Sequence, residues 1–365
     1  MEKESFSEHR EQSNSSGLSA LNKFNLSDDA ANWNVPSEQT GTTSGQDFPS
    51  ALVSKSVADL HKMRAAPGFI RFFSTVIPFL LFIVLSWQFS LSDVWFYIAG
   101  TLAGVFFAAT AVTTHDAIHN TLTGIKWFDE ISARLVTWPV LWPHGVYSEV
   151  HKLHHKMNGV DLRDPERVTF TEAEYNSAHS VVRFFMRHKM VLALFLGGLG
   201  MIATHVYRAF GFYSQSRAVR RQLIIDLVGI ICVNGIIYVA AAAQGQLLKA
   251  FLLYVLVERI GGGILQFRAH IEHYGLSGKR VNFYATQLYT CRNITTNPWM
   301  SWLMNGLNFH SIHHAFPKIP FYNLKEATQR VDDVLKQNNA ESLPSADGYL
   351  RTYIELSREL KLIKS

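Results

Sequence analysis

The chemistry this sequence offers is concentrated in three short histidine clusters. Asn308-Phe309-His310-Ser311-Ile312-His313-His314-Ala315-Phe316-Pro317 places imidazoles at i, i+3 and i+4, and His151-Lys152-Leu153-His154-His155 repeats that spacing. His115-Asp116-Ala117-Ile118-His119 sets two more one turn apart. On a helix such positions share a face, so each cluster can aim its imidazoles at one point. Imidazole is the commonest metal ligand and suits iron, copper, nickel and zinc. Eight of the 16 histidines lie in these clusters. The plain alternative is a set of solvated polar helix faces. A repeated His-x-x-His-His beside a His-x-x-x-His, all next to apolar spans, favours metal binding over it.

Eight to ten histidines exceed what one metal can use. A catalytic zinc takes three protein ligands and a water, and a structural zinc takes four. Two metals of five- to six-coordinate preference fit better, which points to iron. An iron pair beside a membrane can activate O₂ and take hydrogen from an unactivated C–H bond of a lipid. No cysteine nucleophile, Ser-His-Asp order or glycine-rich phosphate loop competes. A zinc-bearing membrane receptor or hydrolase stays open at this point, and so does a structural membrane protein.

Composition supplies the setting. The chain has 365 residues, 48% hydrophobic and only 17% charged, where soluble domains carry about 25% charged residues. The net charge of +5 and pI near 9.1 come without a basic run apart from the apolar segments. Positive loops beside spans explain them better than nucleic-acid binding does. Cys232 and Cys291 are too few to hold an iron–sulfur cluster without histidine, so electrons are expected from a separate partner.

The elements that must position the histidines follow. Residues 1–60 read as a disordered polar tail whose acids and lack of an apolar core argue against a signal or transit peptide. Apolar runs at 69–89, 93–113, 223–243 and 248–267 are long enough to span. The first two pair through Ser90-Leu91-Ser92 and the last two through Gln244-Gly245-Gln246, neither with Lys or Arg. The run 189–206, interrupted by Gly197-Gly198 and Gly200, is assigned as interfacial or re-entrant, because an even number of crossings must separate clusters that meet. Arg208, Arg217, Arg220 and Arg221 in the loop 207–222 agree with the positive-inside rule. Trp138 and Trp142 are assigned to headgroup level. Glu258 and Arg259 fall at mid-depth, with Arg259 paired to Asp226 as one reading. The result is an all-α integral membrane protein with four transmembrane helices, cytosolic termini and a cytosolic histidine-rich cap. Residues 331–365 form a cytosolic helical tail.

The three clusters, the run Phe316-Pro317-Lys318-Ile319-Pro320-Phe321-Tyr322-Asn323-Leu324 and Glu272-His273-Tyr274-Gly275 resemble the membrane fatty acid desaturase family. The resemblance covers roughly residues 65–330, within a domain taken as 61–330. It implies a mushroom-shaped helical protein with a cytosolic di-iron centre of two Fe ions, which inserts a double bond into a fatty acyl chain with O₂ as co-substrate. The ligand positions it carries over are His115, His119, His151, His154, His155, His310, His313 and His314, with His273 as the late histidine. His270 is a further candidate, and Asn308 or Gln266 could hold a bound water. Asp116, Glu149, Asp164 and Glu272 are candidates to orient ligating imidazoles. His61, His179, His188 and His205 are assigned structural roles, and His144, seven residues before His151, is read as part of an interfacial turn. Three residues between His115 and His119 are closer to the acyl-lipid, sphingolipid and carotenoid branches than to the acyl-CoA branch. A hydroxylase or carotenoid ketolase of the same superfamily is the alternative. The implied partners are a lipid acyl substrate and a separate ferredoxin or cytochrome b5 donor with its reductase. A basic face at Arg217, Arg220 and Arg221 is a possible docking point.

Overall fold

The computed structural model describes residues 48–364 other than 213 and 215, together with the backbone alone of 204. Its helices, numbered in chain order, are α1 (Ser50–Ser56), α2 (Ala65–Gln88), α3 (Val94–Ile118), α4 (Lys126–Thr137), α5 (His144–Met157), α6 (Glu172–Ser177) and α7 (Ser180–Phe212). Then come α8 (Arg217–Ala243), α9 (Leu247–His273), α10 (Phe283–Tyr289), α11 (Pro298–Leu303), α12 (His310–Ala315), α13 (Leu324–Gln337) and α14 (Tyr349–Ser357). The two strands among the described residues, β1 (Asn293–Thr295) and β2 (Ser345–Asp347), are three residues each and pair in parallel, with Ile294 opposite Ala346. The all-α expectation holds.

By length and composition α2, α3, α7 and α8 are the helices able to cross a membrane. Their outward faces carry unburied apolar side chains such as Ile77, Leu81, Ile231 and Val239, as lipid-facing helices do. Geometry marks α7 out within this set. It breaks at Gly197, whose φ of 52° needs a residue without a Cβ. Both arms end on the histidine side. The Tyr353 hydroxyl donates to the Met190 carbonyl at 2.6 Å on one arm, and His205 Nε2 lies 3.1 Å from Glu166 on the other. So α7 is two arms joined by a break at Gly197, where the sequence reading had a re-entrant segment and where length and composition give a candidate span. The continuous α9 instead runs the full depth. Near its first turn Lys249 Nζ donates to the Trp87 carbonyl at the far end of α2, 2.6 Å away, and its last residue, His273, stands among the other histidines. The candidate spans by length and composition remain α2, α3, α7 and α8, with α9 packed along them from the far end of α2 to the histidines.

The break in α7 is where the mid-depth charges act. Glu258 accepts from the backbone N–H of Leu199, at the start of the returning arm. Arg259 pairs with Glu258 and donates to the Phe195 carbonyl at 2.6 Å, at the end of the descending arm. Each charge meets the helix end of opposite partial charge. Arg259 is thus not the partner of Asp226, because the break supplies groups that are closer. Asp226 instead accepts from Val146 N–H at 2.8 Å and Trp138 Nε1 at 3.0 Å, with Arg134 Nε at 3.6 Å. The two tryptophans assigned to headgroup level make specific contacts within the protein. Trp138 turns in to Asp226, and Trp142 is buried against Tyr147 and His205.

Two domain boundaries differ from the sequence reading. Residues 1–47 of the tail lie outside the described residues, but 48–60 are folded: α1 buries Val53 against the cap, and Asn282 Nδ2 holds Ser50 Oγ at 2.7 Å. The tail 331–365 is not separate either. Val331 and Leu335 of α13 are buried in the main core, and Ile363 pairs with Phe170 and Glu172. Short apolar residues in polar sequence give little signal until their partners are known.

Close backbone contact at the break makes a prediction. A Cβ at Gly262 would lie 1.8 Å from the Gly198 nitrogen, whereas one at Gly263 meets nothing nearer than 3.9 Å. Glycine inside a helix ordinarily costs about 1 kcal/mol relative to alanine. Gly262→Ala is nevertheless expected to lower the thermal unfolding midpoint in detergent by several degrees, and Gly263→Ala to leave it level or raise it.

Candidate metal centre

The site forms where the cap-side ends of α3 and α9 meet α5 and α12. Each helix presents its histidines at the one-turn spacings that put them on one face. The ligand-capable atoms of His115, His119, His151, His155 and His313 all lie within 4.8 Å of one another, and all five residues are buried. A second buried group collects His273, His310, His314 and Cys291. The groups abut: the His155 and His314 rings stack at 4.2 Å. His154 stands beside the second group, its ring 4.8 Å from His273 and 4.9 Å from His314.

The donor atoms face one another. His151 Nε2 lies 2.8 Å from His115 Nε2 and 3.0 Å from His155 Nε2, and His310 Nε2 lies 2.8 Å from His273 Nε2. His119 Nε2, His313 Nε2 and His314 Nε2 are buried with no hydrogen-bond partner. Leaving a buried polar atom unpaired costs about 1–3 kcal/mol. A cation at the centre of each group would satisfy these lone pairs together, so the residues fit metal binding. Burial first, and then the neighbouring imidazoles, push His313 and His314 well below the usual histidine range. Both rings are therefore neutral near pH 7, the form that ligates.

Acceptors behind the rings fix which nitrogen points inward. His154 Nδ1 bonds Asp164 at 2.8 Å, and His151 Nδ1 bonds Glu166 at 2.9 Å. His314 Nδ1 bonds Gln287 Oε1 at 3.1 Å, and His310 Nδ1 lies 3.4 Å from Glu272. Burial works against the Glu166 carboxylate, but His151 and the bonds from His151 and His205 outweigh it and hold it well below its usual range. Glu166 therefore stays ionised as an acceptor.

Of the residues singled out in the sequence, Asp164 bonds a ligand-capable ring, whereas Glu272 lies near His310 without a hydrogen bond and accepts from Arg268 Nε at 2.9 Å. Asp116 lies 3.7 Å from His115 Nδ1, too far for a hydrogen bond, and accepts instead from Asn305 Nδ2 at 2.9 Å. Glu149 pairs with Lys152 away from the site. His270 is tied to the Gln266 carbonyl at 2.8 Å and belongs to neither group. Asn308 is held by Ser301 and Ile294, and Gln266 reaches the Gly197 carbonyl, so the structure turns both amides away from the histidines. His61, His179 and His188 also lie outside the groups, and His144 is buried near Tyr147.

Sequence reasoning missed three partners. Glu166 sits two residues beyond Asp164 in the same turn-rich segment, and that proximity was a usable signal. Gln287 and Cys291 carry none, because only the packing of α10 on α12 brings them in. Cys291 Sγ lies 3.9 Å from His273 Nδ1, the nitrogen opposite the one that faces His310, so it backs the ring.

Asp164→Asn and Glu166→Gln should each weaken metal affinity about 10–100-fold, measured by titration against a competing chelator. Glu149→Gln should leave it unchanged.

With this geometry described, comparison with known proteins places the chain. The fatty acid desaturase profile matches residues 92–343. The chain is 33% identical over 117 residues to the delta(6)-fatty-acid desaturase of Caenorhabditis elegans, covering 30% of this chain and 26% of that protein. It is 24% identical over 271 residues to the omega-3 fatty acid desaturase of the endoplasmic reticulum of Nicotiana tabacum, 71% of each chain. It is 24% identical over 335 residues to the delta(5) fatty acid desaturase of C. elegans, covering 82% of this chain and 72% of that one. The four candidate spans, the two buried histidine groups and a match over most of the chain agree: this protein belongs to the fatty acid desaturase family, a class of oxidoreductases.

Proposed function

We propose that this protein is an O₂-dependent di-iron desaturase that introduces a double bond into the acyl chain of a lipid. The observation that carries the reading is the pair of adjoining buried imidazole groups, each with lone pairs converging on one point. One iron would be held by His115, His119, His151, His155 and His313, the other by His154, His273, His310 and His314. Nine imidazoles exceed the needs of a single four-coordinate zinc, which argues against the receptor or hydrolase reading.

When bound, the iron pair would supply the O₂ activation and hydrogen abstraction that no amino-acid side chain provides. The chain's own residues do the rest. Asp164, Glu166 and Gln287 keep the inward nitrogens unprotonated and the rings oriented. A cavity of about 60 Å³ opens against His115, His151, His273 and His310, with Ala111, Val112 and Leu265 in its wall. That apolar part of the wall suits a methylene chain, while Glu166, Arg268 and Glu272 line the remainder. Trp142 and Tyr147, packed 5.4 Å apart, help close this cavity to water.

The electrons would come from a separate ferredoxin or cytochrome b5 with its reductase. The Lys/Arg-free turns at the far face and the arginines of 217–221 support a cytosolic position for the histidine side.

Expression in a host of known lipid composition should yield a new unsaturated fatty acid that requires O₂, detected by gas chromatography of the methyl esters. His313→Ala and His154→Ala should abolish it while the protein still accumulates in the membrane. A hydroxylated product in its place would move the assignment to the hydroxylase branch. An unchanged profile in each of several hosts supplied with a donor would sink the reading.

A further inference from the structure

Two cavities reach the second histidine group, and they differ in what they could carry. The small one described above is lined mainly from α3, α5, α7 and α9. Another, of about 120 Å³, lies between the segment after α5 and the turn after α9. Its floor is His154 and His273, and its rim is Leu162, Ser277 and Gly278. Leu162 is 55% exposed, Ser277 and Gly278 are exposed, and a Cβ on Gly278 would meet nothing within 4 Å. The two cavities share Glu166, Val168 and His273, so they meet at these side chains from different sides.

The lining decides what the rim-side cavity can pass. Val160, Leu162, Val168, Leu276 and Ile363 give it apolar walls. Its charged side chains are already engaged: Asp161 with Arg163, Arg167 with Glu174, Asp164 with His154, and Glu166 with His151 and His205. An ion passing here would lose water without gaining an unpaired partner, which is costly. A small neutral molecule escapes that cost. About 10–15 Å³ already admits one water, so 120 Å³ has room for several molecules of that size. It falls well short of the roughly 300 Å³ at which sites for larger ligands begin.

We propose that this cavity is the route by which O₂ reaches the second histidine group. This extends the desaturase reading and rests on it. Each double bond formed consumes one O₂, two protons and two donor electrons, and releases two waters. With a methylene chain in the small cavity, and Trp142 and Tyr147 closing it, that side is shut during turnover. The rim-side cavity stays open and still ends on the rings of His154 and His273.

The test uses full-length protein in detergent, loaded with ferrous iron, and nitric oxide as the probe. Nitric oxide is a neutral diatomic that binds ferrous centres without turnover, and rapid mixing reads its association rate. The double variant Leu162→Trp/Ser277→Trp, both at exposed positions that do not put folding at risk, should slow association at least about tenfold. Ser277→Ala should leave the rate unchanged. Ala111→Phe, which fills the small cavity, should lower desaturation but not the association rate.

A second readout needs no iron. In methyl-labelled protein, dissolved O₂ should speed relaxation of the Val160 and Leu276 methyls more than that of Val331, which is 0% exposed in the main core. The double variant should remove that difference. Equal association rates in all variants, slowing by Ala111→Phe alone, or no extra relaxation at Val160 and Leu276 would overturn the route. Extra relaxation in protein that takes up no iron sinks the desaturase reading alone. Iron uptake with association indifferent to the rim sinks the route alone.

Discussion

The structure depends on bringing imidazole lone pairs together out of water. Facing Nε2 atoms about 2.8–3.0 Å apart, with more buried and unpaired around them, form an arrangement that a folded chain would otherwise avoid. A cation at each convergence would turn that cost into the reason for the arrangement. The surrounding carboxylates and amides then have a common task, which is to hold each ring by its outer nitrogen.

The membrane frame exists to make this meeting possible. Histidines come from the ends of α3 and α9 and from α5 and α12, segments far apart in sequence, so the crossings must return every cluster to one face. The broken helix α7 adds a wall beside α9. Its break is sealed by Glu258 and Arg259, each set against a helix end of opposite partial charge. It also delivers His205 to Glu166, and so steadies His151 from a second side.

Most of this was legible in the sequence because its signals are periodic. One-turn histidine spacing, apolar runs of spanning length and charge-free hairpin turns each follow from local geometry, and together they place the three clusters on one side. What escaped depends on tertiary contact. Nothing local marks Gln287 as the partner of His314, or packs Trp142 against Tyr147 and His205. The amide of Asn308, two residues before His310, looked suited to the centre, yet the loop before α12 ties it to Ile294 and Ser301. Asp116 adjoins His115 in sequence, but successive helical residues point in different directions, and it bonds Asn305 instead.

Metal stoichiometry tests the central claim most directly. Protein purified without chelators and reconstituted anaerobically should carry close to two irons per chain. X-ray absorption at the iron edge should show nitrogen and oxygen neighbours without a sulfur shell. One tetrahedral zinc per chain, or a protein that takes up no iron while remaining folded, would contradict the account.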